Sequence, residues 1–424
     1  MPQRTTAICI RNVAPTCAAM ALFTLLLTAG CATGRDAWPQ WGGPNRNFMV
    51  DAPDLADQWP EAGPPKLWSR QLGDGFSTIV VDERTVYTLY RDGDSEVVVA
   101  LERETGATKW EHRYASPFTN LMAEFGEGPH STPLLVGNRL YTVGLNVVLH
   151  CLDSRTGNVL WKHDLVEEYG AEVPGRGYSS SPIAYRNLVI LGAGGGDDAG
   201  LIAFNKKDGT FAWKNEGLTL AQSSPILIDF HGQDQLVLFT SKSLAGVNPA
   251  SGELLWSHPN ESDDVAALAT PLWTGDDLIF VSAAYDSGSR VIRLKREGGK
   301  TVPEELWYGR KLRIHHGNAI RIGDYVYGSS GDFGPAILAA VNIRTGDVVW
   351  RERGFAKATC VYADGKMILL DEDGQLALLT VSPDGMTVRS KCDVADRTAW
   401  AAPTLAGTTL FIRDRKNIMA FDLG

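Results

Sequence analysis

Eight residues stand where side chains could act together: Phe76, His130, Ser179, Gln222, Leu268, His316, Lys357 and Trp400. Each lies three positions before a stretch resembling Ser-Thr-Pro-Leu, and those stretches begin near Ile79, Pro133, Pro182, Pro225, Pro271, Ala319, Cys360 and Pro403. Imidazole, ammonium, amide and aromatic groups converging on one opening would suit a small ligand or a peptide. Arg176 and Tyr178 are expected to join them, as is Glu124 from the long loop of residues 115–130. If the groups only cap the opening, they enclose water instead. Other chemistry finds less support. Gly192-Ala193-Gly194-Gly195-Gly196-Asp197-Asp198 would cradle a phosphate only if a helix followed, and a strand follows (Leu201-Ile202-Ala203-Phe204). Gly328-Ser329-Ser330-Gly331-Asp332 is the matching loop of a later unit, so both are expected to be hairpins. His315 and His316 are adjacent, and an extended backbone would send their rings to opposite sides, where they could not share one ion. Gly177-Tyr178-Ser179-Ser180-Ser181 has no nucleophile elbow and no placed His or acid partner.

The elements that must position these residues follow from a repeat. Trp68, Trp110, Trp161, Trp213, Trp256, Trp307 and Trp350 are spaced by 42, 51, 52, 43, 51 and 43 residues. Ahead of most of them comes a polar residue and then a glycine, as in Asp153 with Gly157, Asn205 with Gly209, Asn248 with Gly252 and Asn342 with Gly346. A short polar side chain can bond the turn's own backbone, and glycine takes a left-handed conformation without steric cost. Each unit holds four short strand-like runs and no amphipathic helix. Repeated four-stranded units of this length are propeller blades. Eight inner-strand starts are matched by eight fourth-strand ends, the last near Arg389, where the Trp is missing. The chain enters the repeat on a fourth strand at Lys66-Leu67-Trp68-Ser69 and leaves on a third at Met419-Ala420-Phe421-Asp422. An all-β, eight-bladed propeller of four-stranded antiparallel blades is therefore expected, with the N-terminal strand completing the last blade and no open sheet edge left at the join. The seven tryptophans are expected to wedge between neighbouring blades as packing.

Three segments emerge: an export signal over 1–30, an arm over 31–65 and the ring over 66–424. The first begins with Arg4 and Arg11, continues with an apolar run near Ala18–Ala29, and ends in small residues. Leu27-Thr28-Ala29-Gly30-Cys31 resembles a bacterial lipobox, although Thr28 stands where leucine is commonest. That resemblance implies lipidation of Cys31 and an anchor in the envelope facing the periplasm, with Ala32 favouring the outer membrane. Membrane contact is then through the N-terminal lipid only. Cys151, Cys360 and Cys392 lie in different units, so neither a metal site nor a firm disulfide is inferred. The formal charge of −10 argues against nucleic acid as a partner. Trp38 and Trp41 are too apolar to leave in water, so the arm is expected to pack on one face of a monomeric ring.

The Gly-to-Trp grammar, together with Trp38-Pro39-Gln40-Trp41-Gly42-Gly43-Pro44-Asn45-Arg46, resembles the PQQ-like β-propeller family over nearly the whole mature chain. The leader is similar to that of exported repeat proteins of planctomycete-type bacteria. The family includes quinoprotein alcohol dehydrogenases and the lipoprotein of the outer-membrane β-barrel assembly machine. The resemblance implies a fold and leaves the activity open, because such scaffolds host enzymes and non-enzymes alike. Quinoprotein dehydrogenases hold PQQ with a divalent cation, acidic and amide ligands, an Asp base and often a disulfide between adjacent cysteines. No adjacent cysteines occur here, and no acidic cluster matches the calcium ligands residue by residue. The expectation is a non-catalytic envelope lipoprotein that docks proteins or extended peptides, with no cofactor and no metal. A PQQ- and calcium-dependent oxidoreductase is the alternative. A third reading is a small-molecule or carbohydrate binder that stacks on Trp400, Phe76 and Tyr178.

Overall fold

The computed structural model describes residues 1, 36–118, 122, 126–192, 200–219, 222–260, 267–285, 287–330 and 335–424, of which all but the first belong to one compact unit, Gly34–Gly424. The segment 1–30, Cys31, Glu124, the loop core 193–199 and Gly331-Asp332 lie outside the described residues. All of the sheets among the described residues belong to that unit.

Eight antiparallel sheets succeed one another along the chain. In blade 2 the strands Leu134–Val136, Arg139–Val143, Val148–Asp153 and Val159–Asp164 run in simple up-and-down order. Burial falls outward across the blade: the two middle strands are almost wholly enclosed, and the fourth alternates toward solvent. Such a gradient follows when blades stack face to face and only the outermost strand meets water. Lys66–Gln71 pairs with Asn417–Asp422 and completes blade 8, so the two ends of the chain interlock. Blade 5 departs slightly. Its inner strand shrinks to a bridge between Leu272 and Phe280, because the chain turns immediately afterwards and Trp273 Nε1 bonds the Asp276 carbonyl at 2.7 Å. The only helix among the described residues is one turn, Leu165–Tyr169, capped by Asp164 and Gly170.

The tryptophans join blade to blade. An ideal Cβ on Gly106, Gly157, Gly209, Gly252 or Gly346 would meet the ring of Trp68, Trp110, Trp161, Trp213 or Trp307, respectively, at 2.5–2.8 Å. Each indole thus lies flat on the turn glycine of the next blade. The ring N–H then donates to the carbonyl three residues before that glycine: Trp68 to Arg103, Trp110 to Ser154, Trp161 to Lys206 and Trp307 to Ile343. Trp350 repeats the donation, to Ser382, without the stacking: nothing lies within 4 Å of a Cβ on Gly385. Trp213 keeps the stacking but its Nε1 finds no partner. Trp256 turns to Gln235 Oε1 of its own blade; the turn of blade 5, Gly298-Gly299, has nothing within 4 Å of a Cβ on either glycine. The polar residue of each turn does what its position suggests: Asp153 Oδ1 accepts from the backbone of Arg155 and Thr156, and Asn342 Oδ1 from Arg344 and Thr345.

The arm closes one end of the central channel. Trp38 exchanges backbone bonds with Val81 of blade 1, and the Pro39 carbonyl accepts from Leu135 of blade 2. Arg46 Nη1 reaches the Pro182 carbonyl of blade 3, and Trp41 Nε1 the Thr270 hydroxyl of blade 5. Phe48 and Val50 bond Tyr362 of blade 7, and Ala56 bonds Leu423 of blade 8. Trp38, Phe48 and Trp59 are buried. The knot needs glycine at Gly42 and Gly43: both have positive φ, and a Cβ on Gly43 would sit 3.1 Å from the Trp38 ring. Arg46 is almost fully enclosed, and burial alone pushes its guanidinium down to about 9.

Candidate functional site

Val81, Leu135 and Tyr362 lie toward the far ends of their inner strands, whereas the eight singled-out residues precede those strands. The arm and the eight residues therefore occupy opposite ends of the channel. Hydroxyl groups hold the linkers in register from blade to blade. Ser77 Oγ donates to the Ser131 carbonyl at 2.8 Å and Ser180 Oγ to the Ser223 carbonyl at 3.1 Å. Thr404 Oγ1 bonds the Ile79 carbonyl across the closing seam.

Held in this way, five of the eight side chains form one cluster. Phe76 stacks on Trp400 with ring centroids 5.4 Å apart and also meets His130 at 5.3 Å. His316 packs on Trp400 at 4.7 Å. The Lys357 ammonium lies over the Trp400 ring at 5.5 Å. Glu372, from the turn between the second and third strands of blade 7, ties the group together. Its Oε2 accepts from Lys357 Nζ and from Trp400 Nε1, both at 3.2 Å. Ser179 and Gln222 form a separate pair, with Ser179 Oγ donating to Gln222 Oε1 at 2.7 Å. Leu268 is half-buried.

Two expectations change. Tyr178 is fully buried among Leu134, Tyr141 and Val189, so it presents no face to a ligand. His315 and His316 converge: their Nδ1 atoms are 3.1 Å apart, and His315 Nε2 meets the Tyr285 hydroxyl at 3.1 Å. The backbone bends there instead of running as a strand, so alternation of faces does not apply. Arg176 is exposed near His130.

Electrostatics keep the cluster's imidazoles neutral. Burial lowers His130 to about 4; Asp74 opposes this and Arg176 adds to it. Burial, then His315 and Lys357, hold His316 well below its ordinary range. Glu372 and Tyr285 went unnoticed in the sequence because each sits in a loop with no chemical signature. The one usable signal was topological, since loops between second and third strands share a face with the blade-to-blade linkers.

A family model described as outer membrane protein assembly factor BamB matches residues 94–352, more than half of the chain. The chain belongs to that family. BamB of Yersinia pestis is 24% identical over 312 residues, covering 68% of this chain and 73% of that protein. The quinoprotein alcohol dehydrogenase PedH of Pseudomonas putida is 26% identical over 197 residues, which is 42% of this chain and only 29% of that one. Among solved structures, BamB from Moraxella catarrhalis superposes with a TM-score of 0.59 at 14% identity, over 85% of this chain and 98% of that one. The quinohemoprotein alcohol dehydrogenase from Comamonas testosteroni gives 0.65 at 12%, over 93% and 82%. At such identities the structural likeness speaks for the fold alone, which BamB and the dehydrogenases share.

A quinone held with calcium needs several oxygen ligands in one place. Among the described residues no three His, Cys, Asp or Glu side chains gather to hold an ion. At this mouth the Glu372 carboxylate is taken by Lys357 and Trp400, while Phe76 and Trp400 stack on each other. The described cysteines, Cys151, Cys360 and Cys392, are free. The described residues form no ion site of the kind PQQ and calcium require.

Proposed function

We propose that the chain is a non-catalytic scaffold of the cell envelope, which docks other proteins or extended peptides in outer-membrane protein assembly. It is tethered through a lipid on Cys31 and faces the periplasm. One observation supports the reading beyond family membership: at both ends of the channel the protein's own side chains engage one another. The arm bonds inner strands at one end, and at the other Phe76 packs on Trp400 and His130 while His316 packs on Trp400. What is left for partners is the rim, with many loops and outer strands on a rigid ring.

The test uses the chain from Ala32 onward, immobilised and exposed to detergent-solubilised envelope of the source bacterium. Recovery of an outer-membrane β-barrel assembly complex supports the reading, and its absence from the eluate overturns it. In parallel, PQQ with calcium is titrated against the same protein. An unchanged quinone spectrum is expected, and bound quinone that reduces a dye with alcohols would reverse the assignment. Labelling of the full chain with radioactive palmitate should disappear in Cys31→Ser.

A further inference from the structure

We propose that the outer edge of blade 6 takes an extended acidic segment of a partner protein, which adds to the blade as a further strand. The inference rests on the scaffold reading and names the chemistry of the partner. Acids outnumber bases, 50 to 40, across the sequence, so cations gathered on one side of a strand, with its one carboxylate, Glu352, on the other, need an explanation. The outer strand Val348–Arg353 reads Val-Val-Trp-Arg-Glu-Arg, and alternation places Arg351 and Arg353 on one side of the sheet. Arg351 Nη2 donates to the Lys311 carbonyl at 3.3 Å, which brings the linker leaving blade 5 against that side. Lys311, Arg351 and Arg353 are exposed and form no ion pair among the described residues. The outer strand of blade 5 is different: its Glu304 and Glu305 are already paired with Lys295 and Arg290.

The backbone supplies the second half of the site. Gly354 N–H donates to the Ala336 carbonyl at 3.0 Å, and the register runs on through Glu352 opposite Leu338 and Trp350 opposite Ala340. In an antiparallel pair, alternate residues turn their N–H and C=O toward the partner strand. Glu352 and Trp350 therefore face inward, while Arg351 and Arg353 aim their backbone groups at the free edge. A groove of about 300 Å³, lined by Lys311, Val348, Trp350 and Arg351, opens at this edge. An extended strand satisfies the outward N–H and C=O groups, and acidic side chains on alternate positions meet the row of cations. A helix or a nucleic acid would leave the edge groups unused.

The probe is a short fluorescein-labelled peptide alternating glutamate and valine, followed by fluorescence anisotropy on the chain from Ala32 onward. Saturable binding is expected. Arg351→Glu with Arg353→Glu should weaken it by about tenfold or more and leave the circular dichroism unchanged. The same peptide N-methylated at alternate residues keeps its charge, cannot pair with an edge, and should bind no better than the double variant allows. Equal binding of the N-methylated peptide, equal competition by dextran sulfate at matched charge, or no effect of the double variant would each overturn the proposal. The scaffold reading has its own outcome. If the double variant still recovers the assembly complex as well as the parent chain does, that reading stands and this docking site does not.

Discussion

Alanine at Gly157 tests the blade-to-blade docking most directly. Gly157 closes the turn before the fourth strand of blade 2 at φ +74°, and a Cβ there would stand 2.5 Å from Trp110 Cε3. Two costs add. A left-handed backbone conformation disfavours a residue with a Cβ by about 1–2 kcal/mol. The overlap then drives the indole from its seat and from the Ser154 carbonyl it bonds at 2.9 Å, and such overpacking costs about 1–3 kcal/mol. Gly137 in the same blade provides the control: its φ is +58°, and nothing lies within 4 Å of a Cβ built on it. Gly137→Ala should therefore carry the first cost only, about 1–2 kcal/mol. Gly157→Ala should lose about 2–5 kcal/mol. Urea unfolding followed by tryptophan fluorescence and far-ultraviolet circular dichroism would compare the midpoints. A melting temperature discriminates less well, because in a chain this long each kcal/mol moves it by roughly 2 °C or less. Equal losses for the two variants would refute the docking argument, since only the contact with Trp110 separates them.

The buried histidines predict a pH dependence with a definite sign. His150 is 3% exposed, and burial, then His112 and Lys162, lowers it to about 3. Its folded value lies below the unfolded one, so the unfolded chain takes the proton first. Stability is full above about pH 6.5 and falls as the pH drops toward 3, by at most roughly 1.4 kcal/mol per pH unit for this group. His150→Phe should flatten that acid limb in urea midpoints taken at pH 7 and pH 5, and an unchanged difference between the two pH values would contradict it. For the arm, Trp38→Ala should cost about 3–5 kcal/mol and open residues 36–65 to limited proteolysis while the ring fragment stays intact. Resistance equal to that of the parent chain would show that Trp38 does not hold the arm in place.

The mouth cluster was partly legible because it depends on topology. Counting back from repeated strand starts finds Phe76, His130, His316, Lys357 and Trp400 whatever their identities, and the ring then brings them together. Tyr178 failed the same logic. One residue of difference along the linker turns a side chain from the opening into the blade interface, where it packs on Leu134 and Val189. His315 and His316 failed because a bend replaced the extended backbone on which the alternation argument relied. Trp38 and Trp41 announced a packed arm through their apolar area alone, but the site of packing lay beyond reach. Trp41 meets Thr270 across 229 residues of sequence.

By itself the sequence determined the blade, the number of blades and the interlocking of residue 68 with the last sheet. These are set by local periodicity and by turn chemistry repeated within each unit. Only the tertiary structure decided which end of the channel the arm plugs, that Glu372 binds Lys357 and Trp400, and that Arg351 at the edge of blade 6 meets the Lys311 carbonyl. Those contacts join residues whose neighbours in space come from other blades. Their meeting depends on how the rotations of eight stacked sheets sum round the ring, and no short window of residues encodes that sum.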